Sequence, residues 1–335
     1  MTAVLVPTAS EAEWLEARRK GVTASEIAIL MGLSPYSSPY ALYHQKLGIL
    51  PGQDDSPAME RGRVLEPYVV QKFGELHPEL MVVGSGRELF RHEDRPWQMA
   101  TPDRMLCDDM RLDFDGDTVI EEFEPLALLE TKTASDMSDW GEPGTDEIPV
   151  HYRCQVLWQM DVTGVGKAYV TVLDIPRWEV REYVIEHNPA GHIGDSTGEQ
   201  PQGDCEVCDD QQMMRGEARL FLDRIARGEA PDVDWRPATI GALKQLHPSV
   251  TDEDVFVGSQ VATRYRAAVR NFKYWEKRKH LYEAQLRQQM GPARRAWSGG
   301  EVIARRDVYE VGESARKAYT VDKLVPVKPK KEKTS

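Results

Sequence analysis

The stretch Leu126-Ala127-Leu128-Leu129-Glu130-Thr131-Lys132-Thr133 decides the fold. Its apolar run reads as a strand buried on both faces, yet two charges follow at once. Desolvating a lone carboxylate or ammonium is expensive, so charges in such a strand need partners or a task. Residues two apart in a strand share a face, which sets Glu130 beside Lys132. Asp103 stands 27 residues before Glu130, directly after the turn-forming Pro102. Asp followed by Glu-x-Lys is a pattern of divalent-metal nucleases. Asp103 and Glu130 offer the oxygen donors that a hard cation takes, and the Thr131 carbonyl is a further one. Lys132 can hold or activate the attacking water and offset phosphoryl charge. Taken alone, the triplet is better explained as a surface salt bridge at a strand end.

Outward from that strand, periodicity supplies the other elements. Thr23 or Ser25 can cap a helix whose apolar face is Ile27, Leu30 and Met31, stopped by Gly32. A turn between Ser34 and Pro39 leads to a helix over residues 40–47. A longer helix is expected over 59–76, with Val64, Leu65, Tyr68, Val69 and Phe73 on one side. Strand-like runs follow at 80–83, 88–91, 99–107 and 119–123. A helix is expected over 151–161, then a hairpin of strands at 167–173 and 178–185. The order predicts an α+β (mixed α/β) fold, a central mixed sheet flanked by helices. Residues 187–210 read as a loop insertion, 213–228 as a helix, 231–248 as a connection and 260–290 as a long helix. The expected organisation is one domain over 1–235 and a basic helical extension over 236–335 with a disordered tail.

Composition narrows the classes. The chain has 335 residues, 41% hydrophobic and 29% charged, which suits a packed core and excludes a collagen, a coiled-coil rod and a wholly disordered chain. No window approaches the roughly 18 apolar residues of a membrane span. Residues 1–10 lack a basic, then apolar, leader, and four cysteines are too few for a disulfide scaffold. A reducing cytoplasm is therefore expected. The net charge of −13 hides an asymmetry: residues 258–335 carry 19 Lys+Arg against 8 Asp+Glu, leaving 23 against 47 in the first 257. A basic C-terminal part on an acidic body is a cue for nucleic-acid contact, and on charge alone a solvated helix and tail explains it equally well.

Six blocks occur in order. They are Trp14-x3-Arg18-x4-Thr23-Ala24-Ser25-Glu26, Gly32-Leu33-Ser34-Pro35-Tyr36-x2-Pro39, Arg61-Gly62-x3-Glu66-Pro67, Ala100-Thr101-Pro102-Asp103, Leu129-Glu130-Thr131-Lys132, and Ile148-Pro149-x2-Tyr152-x2-Gln155-x3-Gln159 with Gly164. Over about residues 14–183 the chain resembles the phage lambda-type exonuclease and YqaJ viral recombinase family of the PD-(D/E)XK nucleases. The resemblance implies a restriction-endonuclease-like core in which Asp103, Glu130 and the Thr131 carbonyl hold Mg²⁺, with Mn²⁺ as a substitute. It makes Lys132 the catalytic lysine, places Glu66 near the metals, directly or through water, and has Gln155 orient water or the scissile phosphate. Tyr152 lies one helical turn before Gln155 and is expected at the DNA. Arg18 and Ser25 match positions that bind a 5′-terminal phosphate. That is chemically apt, since a guanidinium fork and a hydroxyl at a helix start both suit phosphate.

The resemblance further implies a nuclease acting on double-stranded DNA ends, 5′ to 3′, with a single-strand annealing or recombinase protein as partner and a trimeric ring as assembly. Alternatives are a structure-specific or single-strand endonuclease of the same fold, and a catalytically silent DNA-binding recombination factor. One departure stands out: the family has Pro-Asp-Gly where Arg104 follows Asp103 here, so either the turn is altered or the arginine points toward DNA. Glu26 is read as a capping-box or structural residue.

Two further features stand outside these blocks. Cys205-x2-Cys208 with His187 and His192 offers four zinc-type ligands, but the spacing is not that of a standard finger, and a plain exposed dithiol loop is the preferred reading. Along 260–290, basic residues from Arg264 to Arg287 mix with Tyr265, Tyr274 and Trp275. The preferred reading there is an amphipathic helix packing its aromatics on a neighbour, with DNA contact as the other.

Overall fold

The computed structural model describes residues 3–52, 55–115, 118–187, 205–249, 252–311 and 319–326. Its main sheet contains the strand read first, β9 (Ala127–Ala134). This strand runs parallel to β10 (Lys167–Asp174) and antiparallel to β6 (Arg104–Cys107), with β11 (Glu179–Glu186) and β3 (Met81–Val83) at the edges. The sheet order is β11-β10-β9-β6-β3. A second sheet, β1 (Ala3–Leu5), β4 (Phe90–His92), β5 (Gln98–Ala100) and β2 (Val22–Thr23), lies in the same unit. The hairpin β7 (Met110–Asp115) and β8 (Thr118–Phe123) pairs with itself. The expected mixed α/β architecture is present.

Helices cover both faces of β9. Leu128 packs into the larger core beneath α5 (Val150–Thr163), while Ala127 and Leu129 meet Phe73 from α4 (Pro57–Leu76). Two-sided burial is why the strand reads as a continuous apolar run. Helix α5 is itself buried on most sides, including Val156, Leu157, Trp158, Met160 and Val162. The Trp158 indole donates to the Met99 carbonyl at 3.0 Å, which ties α5 to β5. Gly164, at φ 72°, ends the helix in the left-handed conformation that glycine adopts without strain.

The remaining helices of this unit are α1 (Glu11–Arg19), α2 (Ala24–Leu30), α3 (Pro39–Lys46), α6 (Glu206–Arg227) and α7 (Pro237–Leu246). Two readings are corrected here. Helix α6 begins at Glu206, so the loop ends before Cys205, which is the helix N-cap. Residues 237–246, read as part of a connection, form α7, which packs on α3 through a Thr239–Ser38 hydroxyl bond of 2.8 Å. The chain divides at 250/251 rather than at 235/236, because α7 belongs to the first unit.

The second unit contains α8 (Ser259–Met290) and a sheet of β12 (Arg295–Ser298), β13 (Glu301–Val311) and β14 (Tyr319–Pro326), so it is not purely helical. Only Met290 of α8 is buried, and Phe272 and Trp275 are exposed, so the aromatic stripe is not covered among the described residues. The basic tail beyond residue 326 lies outside them. No described helix is long and apolar enough to cross a membrane.

His77 closes α4 and bridges Glu79 at 3.0 Å and Glu182 of β11 at 2.9 Å. Burial works against the imidazolium, but the two carboxylates outweigh it and hold the pKa above its usual value. A raised folded pKa gives stability that is full below the unfolded pKa and is lost as pH rises through the folded one. Urea midpoints are therefore expected to fall from about pH 6 to about pH 8. His77→Gln should remove that component, and parallel pH curves for the two proteins would refute it.

Candidate active site

The β6–β9 ladder ends at the Arg104–Leu129 pair. Beyond it Pro102 has no N–H to give, and the Asp103 side chain meets the β9 backbone instead, while the Glu130 side chain reaches α5. Asp103 Oδ2 accepts from the Thr131 N–H and the Thr131 hydroxyl, both at 2.7 Å. These bonds lock one carboxylate oxygen against the strand that carries the other carboxylate.

Glu130 is 1% exposed, and its burial is compensated from several sides. The Gln155 amide donates to Oε1 at 2.6 Å, and the Gln159 amide donates to Oε2 at 2.8 Å. Lys132 donates to Oε1 as well, and its ammonium lies 3.4 Å from the Gln155 carbonyl oxygen and 4.9 Å from the Tyr152 ring centre. Burial, reinforced by Asp103, pushes Glu130 up to about 7. Burial alone would lower the Lys132 ammonium, but Glu130 and Asp103 outweigh it and hold it above its usual value. Gln155 and Gln159 sit four apart on α5, hence on one helical face, a spacing that marks Gln159 from sequence although only Gln155 was given a role. The Gln159 Oε1 has no hydrogen-bond partner, so the amide is turned to serve Glu130 at the cost of its own acceptor.

Glu66 reaches the edge of this group from α4. Its Oε1 pairs with Arg104 at 3.0 Å, and Arg104 also donates to the Asp103 carbonyl at 2.5 Å. Arg104 thus neither extends toward a ligand nor leaves the turn unsupported: it folds back and closes it. Gly86 makes room for this. A Cβ there would lie 2.8 Å from the Arg104 guanidinium and 3.2 Å from the Asp103 carbonyl, and its φ is 77°. No local signal in the sequence pointed to Gly86. Burial and Asp103 raise the pKa of Glu66, and Arg104 acts against them. Asp103, Glu130 and Glu66 do not converge to within 4.8 Å as a set, so the structure brings Glu66 near the pair without joining it.

A second polar group stands beside α2. Thr23, not Ser25, is the helix cap, in a capping box with Glu26. Ser25 is left to accept from Arg18 at 3.1 Å, and Arg18 also reaches Thr23 at 3.2 Å. The Trp14 ring lies 4.3 Å from the guanidinium carbon. Lys46 joins Glu26 at 2.7 Å and the Arg18 carbonyl at 2.7 Å, fixing the end of α1. Glu26 is therefore structural, as expected. One cleft of about 460 Å³ is lined by Ser25, Tyr36, Arg61, Glu66, Asp103, Thr131, Lys132, His151, Tyr152 and Gln155. His151 was not singled out from sequence. Its Nε2 has no hydrogen-bond partner, and its ring meets Tyr36 edge-on at 5.6 Å.

The donor set suits a hard divalent cation. Asp103 and Glu130 are oxygen donors of the kind such a cation takes, and burial with the Asp103 charge pushes Glu130 up to about 7, which marks a place where positive charge is favourable. A mixed sheet that presents Asp and Glu-x-Lys at a splayed strand pair, with two helical glutamines behind, defines the class of protein. Residues 13–166 match the YqaJ-like viral recombinase domain.

The chain is 26% identical over 264 residues to an uncharacterized protein, YqaJ, of Bacillus subtilis (strain 168), across 77% of this chain and 69% of that one. Among solved structures it is similar to LHK-Exo in complex with dAMP, at 20% identity and a TM-score of 0.45, covering 71% of this chain and 98% of that one. It is also similar to an alkaline exonuclease, LHK-Exo, from Laribacter hongkongensis, at 21% identity and a TM-score of 0.41, covering 65% and 97%.

Calorimetric titration of Mn²⁺ is expected to show affinity weakened about tenfold or more by Asp103→Asn and by Glu130→Gln. Unchanged affinity in both variants would remove these carboxylates from the cation site.

Proposed function

We propose that this protein is a DNA exonuclease that hydrolyses linear double-stranded DNA from its ends, 5′ to 3′, with Mg²⁺ as the working cation. The observation that supports this best is the shared cleft. Ser25, which holds Arg18, lines the same space as Asp103, Lys132 and Gln155. A terminal phosphate at Arg18 and Ser25 would place the first phosphodiester bonds toward the carboxylates. The match of residues 13–166 to the viral recombinase domain agrees with this substrate.

Asp103, Glu130 and the Thr131 carbonyl would hold the cation, which when bound supplies Lewis-acid stabilisation of phosphoryl charge. Lys132 stands at the cleft with its ammonium fixed by Glu130 and Gln155. Its charge faces the developing negative charge on the phosphoryl oxygens as a water oxygen bonds to phosphorus and the ester oxygen departs. Gln155 keeps Lys132 and Glu130 in register, and Tyr152 supports the ammonium from its ring face. Arg61, exposed at the same cleft, is placed for backbone phosphates. The 3′ single strand left behind is the kind of product an annealing or recombinase protein takes up.

The test uses linear duplex DNA with and without a 5′ phosphate, beside a covalently closed circle, in Mg²⁺ or EDTA. Mg²⁺-dependent loss of linear DNA from 5′ ends with circles spared is expected. Lys132→Ala should slow it by about 10²-fold or more. Degraded circles would replace the exonuclease with an endonuclease, and DNA binding without cleavage would indicate a silent recombination factor. Arg18→Ala should shrink the advantage of a 5′-phosphorylated end by about tenfold to a hundredfold. An unchanged preference would place the end-recognition site elsewhere.

A further inference from the structure

His187, Cys205 and Cys208 take no part in the cleft just described. Their sequence spacing favoured an open dithiol loop, but the fold brings them together. His187 follows the last residue of β11, and its N–H donates to the Gly166 carbonyl at 2.7 Å, one step beyond the strand ladder. Cys205 is the N-cap of α6 and Cys208 lies in its first turn. The His187 Nε2 and the Cys208 sulfur are 3.2 Å apart. The three ligand atoms all lie within 4.8 Å of one another. His192 lies outside the described residues.

Three donors within 4.8 Å of one another can supply three of the four corners of a tetrahedral site. With Zn–S bonds of about 2.3 Å and Zn–N bonds of about 2.1 Å, neighbouring ligand atoms sit roughly 3.5–3.8 Å apart. Closing the observed cluster needs shifts of about an ångström or less. The donors are soft: two sulfurs and an imidazole select Zn²⁺ over the Mg²⁺ that suits oxygen ligands. Cys205 caps α6 and its sulfur accepts the Cys208 N–H at 3.4 Å, so one helix start holds two of the three donors.

We infer that His187, Cys205 and Cys208 form a zinc site, separate from the nuclease centre, that ties the end of β11 to the start of α6. The consequence for the fold follows from what α6 touches. Gln211 of α6 donates to the Leu157 carbonyl of α5 at 3.1 Å, and Arg215 pairs with Asp161 of α5 at 3.0 Å. Helix α5 carries Gln155 and Gln159, so the metal braces the helix that holds Glu130. This inference does not depend on the proposed DNA chemistry, and its test reads metal binding directly.

The full-length chain, purified with a non-thiol reductant and stripped of metal, is titrated with Co²⁺ and then Zn²⁺. One equivalent of Co²⁺ should give a thiolate-to-cobalt charge-transfer band and intense tetrahedral visible bands, both erased by one equivalent of Zn²⁺. Asp103→Asn should keep these bands, which separates the site from the nuclease centre. The double variant Cys205→Ser, Cys208→Ser should lose them, and His187→Ala should weaken zinc by about a hundredfold. Zinc should also raise the Tm of the wild type and not of the double variant. Absence of the charge-transfer band in the wild type overturns the site. So do bands that persist in the double variant. If the double variant fails to fold, the wild-type spectrum and His187→Ala decide the matter alone.

Discussion

A carboxylate buried in the middle of a sheet has to be held, and the way Glu130 is held organises the protein. An uncompensated buried charge is costly, and here two amides and an ammonium answer it. Two of those donors come from one face of α5, so the helix must lie across β9 at a fixed rotation. That rotation in turn sends Trp158 to the Met99 carbonyl and closes the main core. The packing of α5 and the composition of the cleft are consequences of the same contact.

Charge is arranged on two scales. The first 257 residues are strongly acidic, with 23 Lys+Arg against 47 Asp+Glu. Yet Arg61 and Lys132 line the cleft, and Arg18 stands behind Ser25. Glu66 and Asp103 line the same cleft, so both signs of charge meet there. Lys132 is held by Glu130 and Gln155, and Arg18 by Ser25 and Thr23. Pre-positioned cations lose less side-chain freedom when they meet a phosphate.

Arg104 shows how a departure from a family pattern is absorbed. Where the pattern has glycine after the aspartate, this chain has a long cation, and Glu66 and the Asp103 carbonyl take it up. The glycine requirement moves to Gly86, across the turn, where a side chain would strike the guanidinium. The turn that positions Asp103 is thereby kept, with its tight approach supplied from another segment.

By itself the sequence marked the residues that the fold brings together at the centre. A buried apolar run broken by Glu130 and Lys132, a preceding Asp103 and a helix bearing Gln155 are local patterns, set by strand alternation, helical period and the cost of lone buried charge. Those rules act over a few residues and can be read without a fold. Tertiary structure alone decided three matters that depend on segments far apart in the chain. Gly86 and Glu66 converge on Arg104. Helix α7 packs on α3 and moves the domain boundary past residue 235. His187 meets Cys205 and Cys208 across the strand end and the helix start. Side-chain convergence of this kind is fixed by how elements pack, and no local periodicity encodes it.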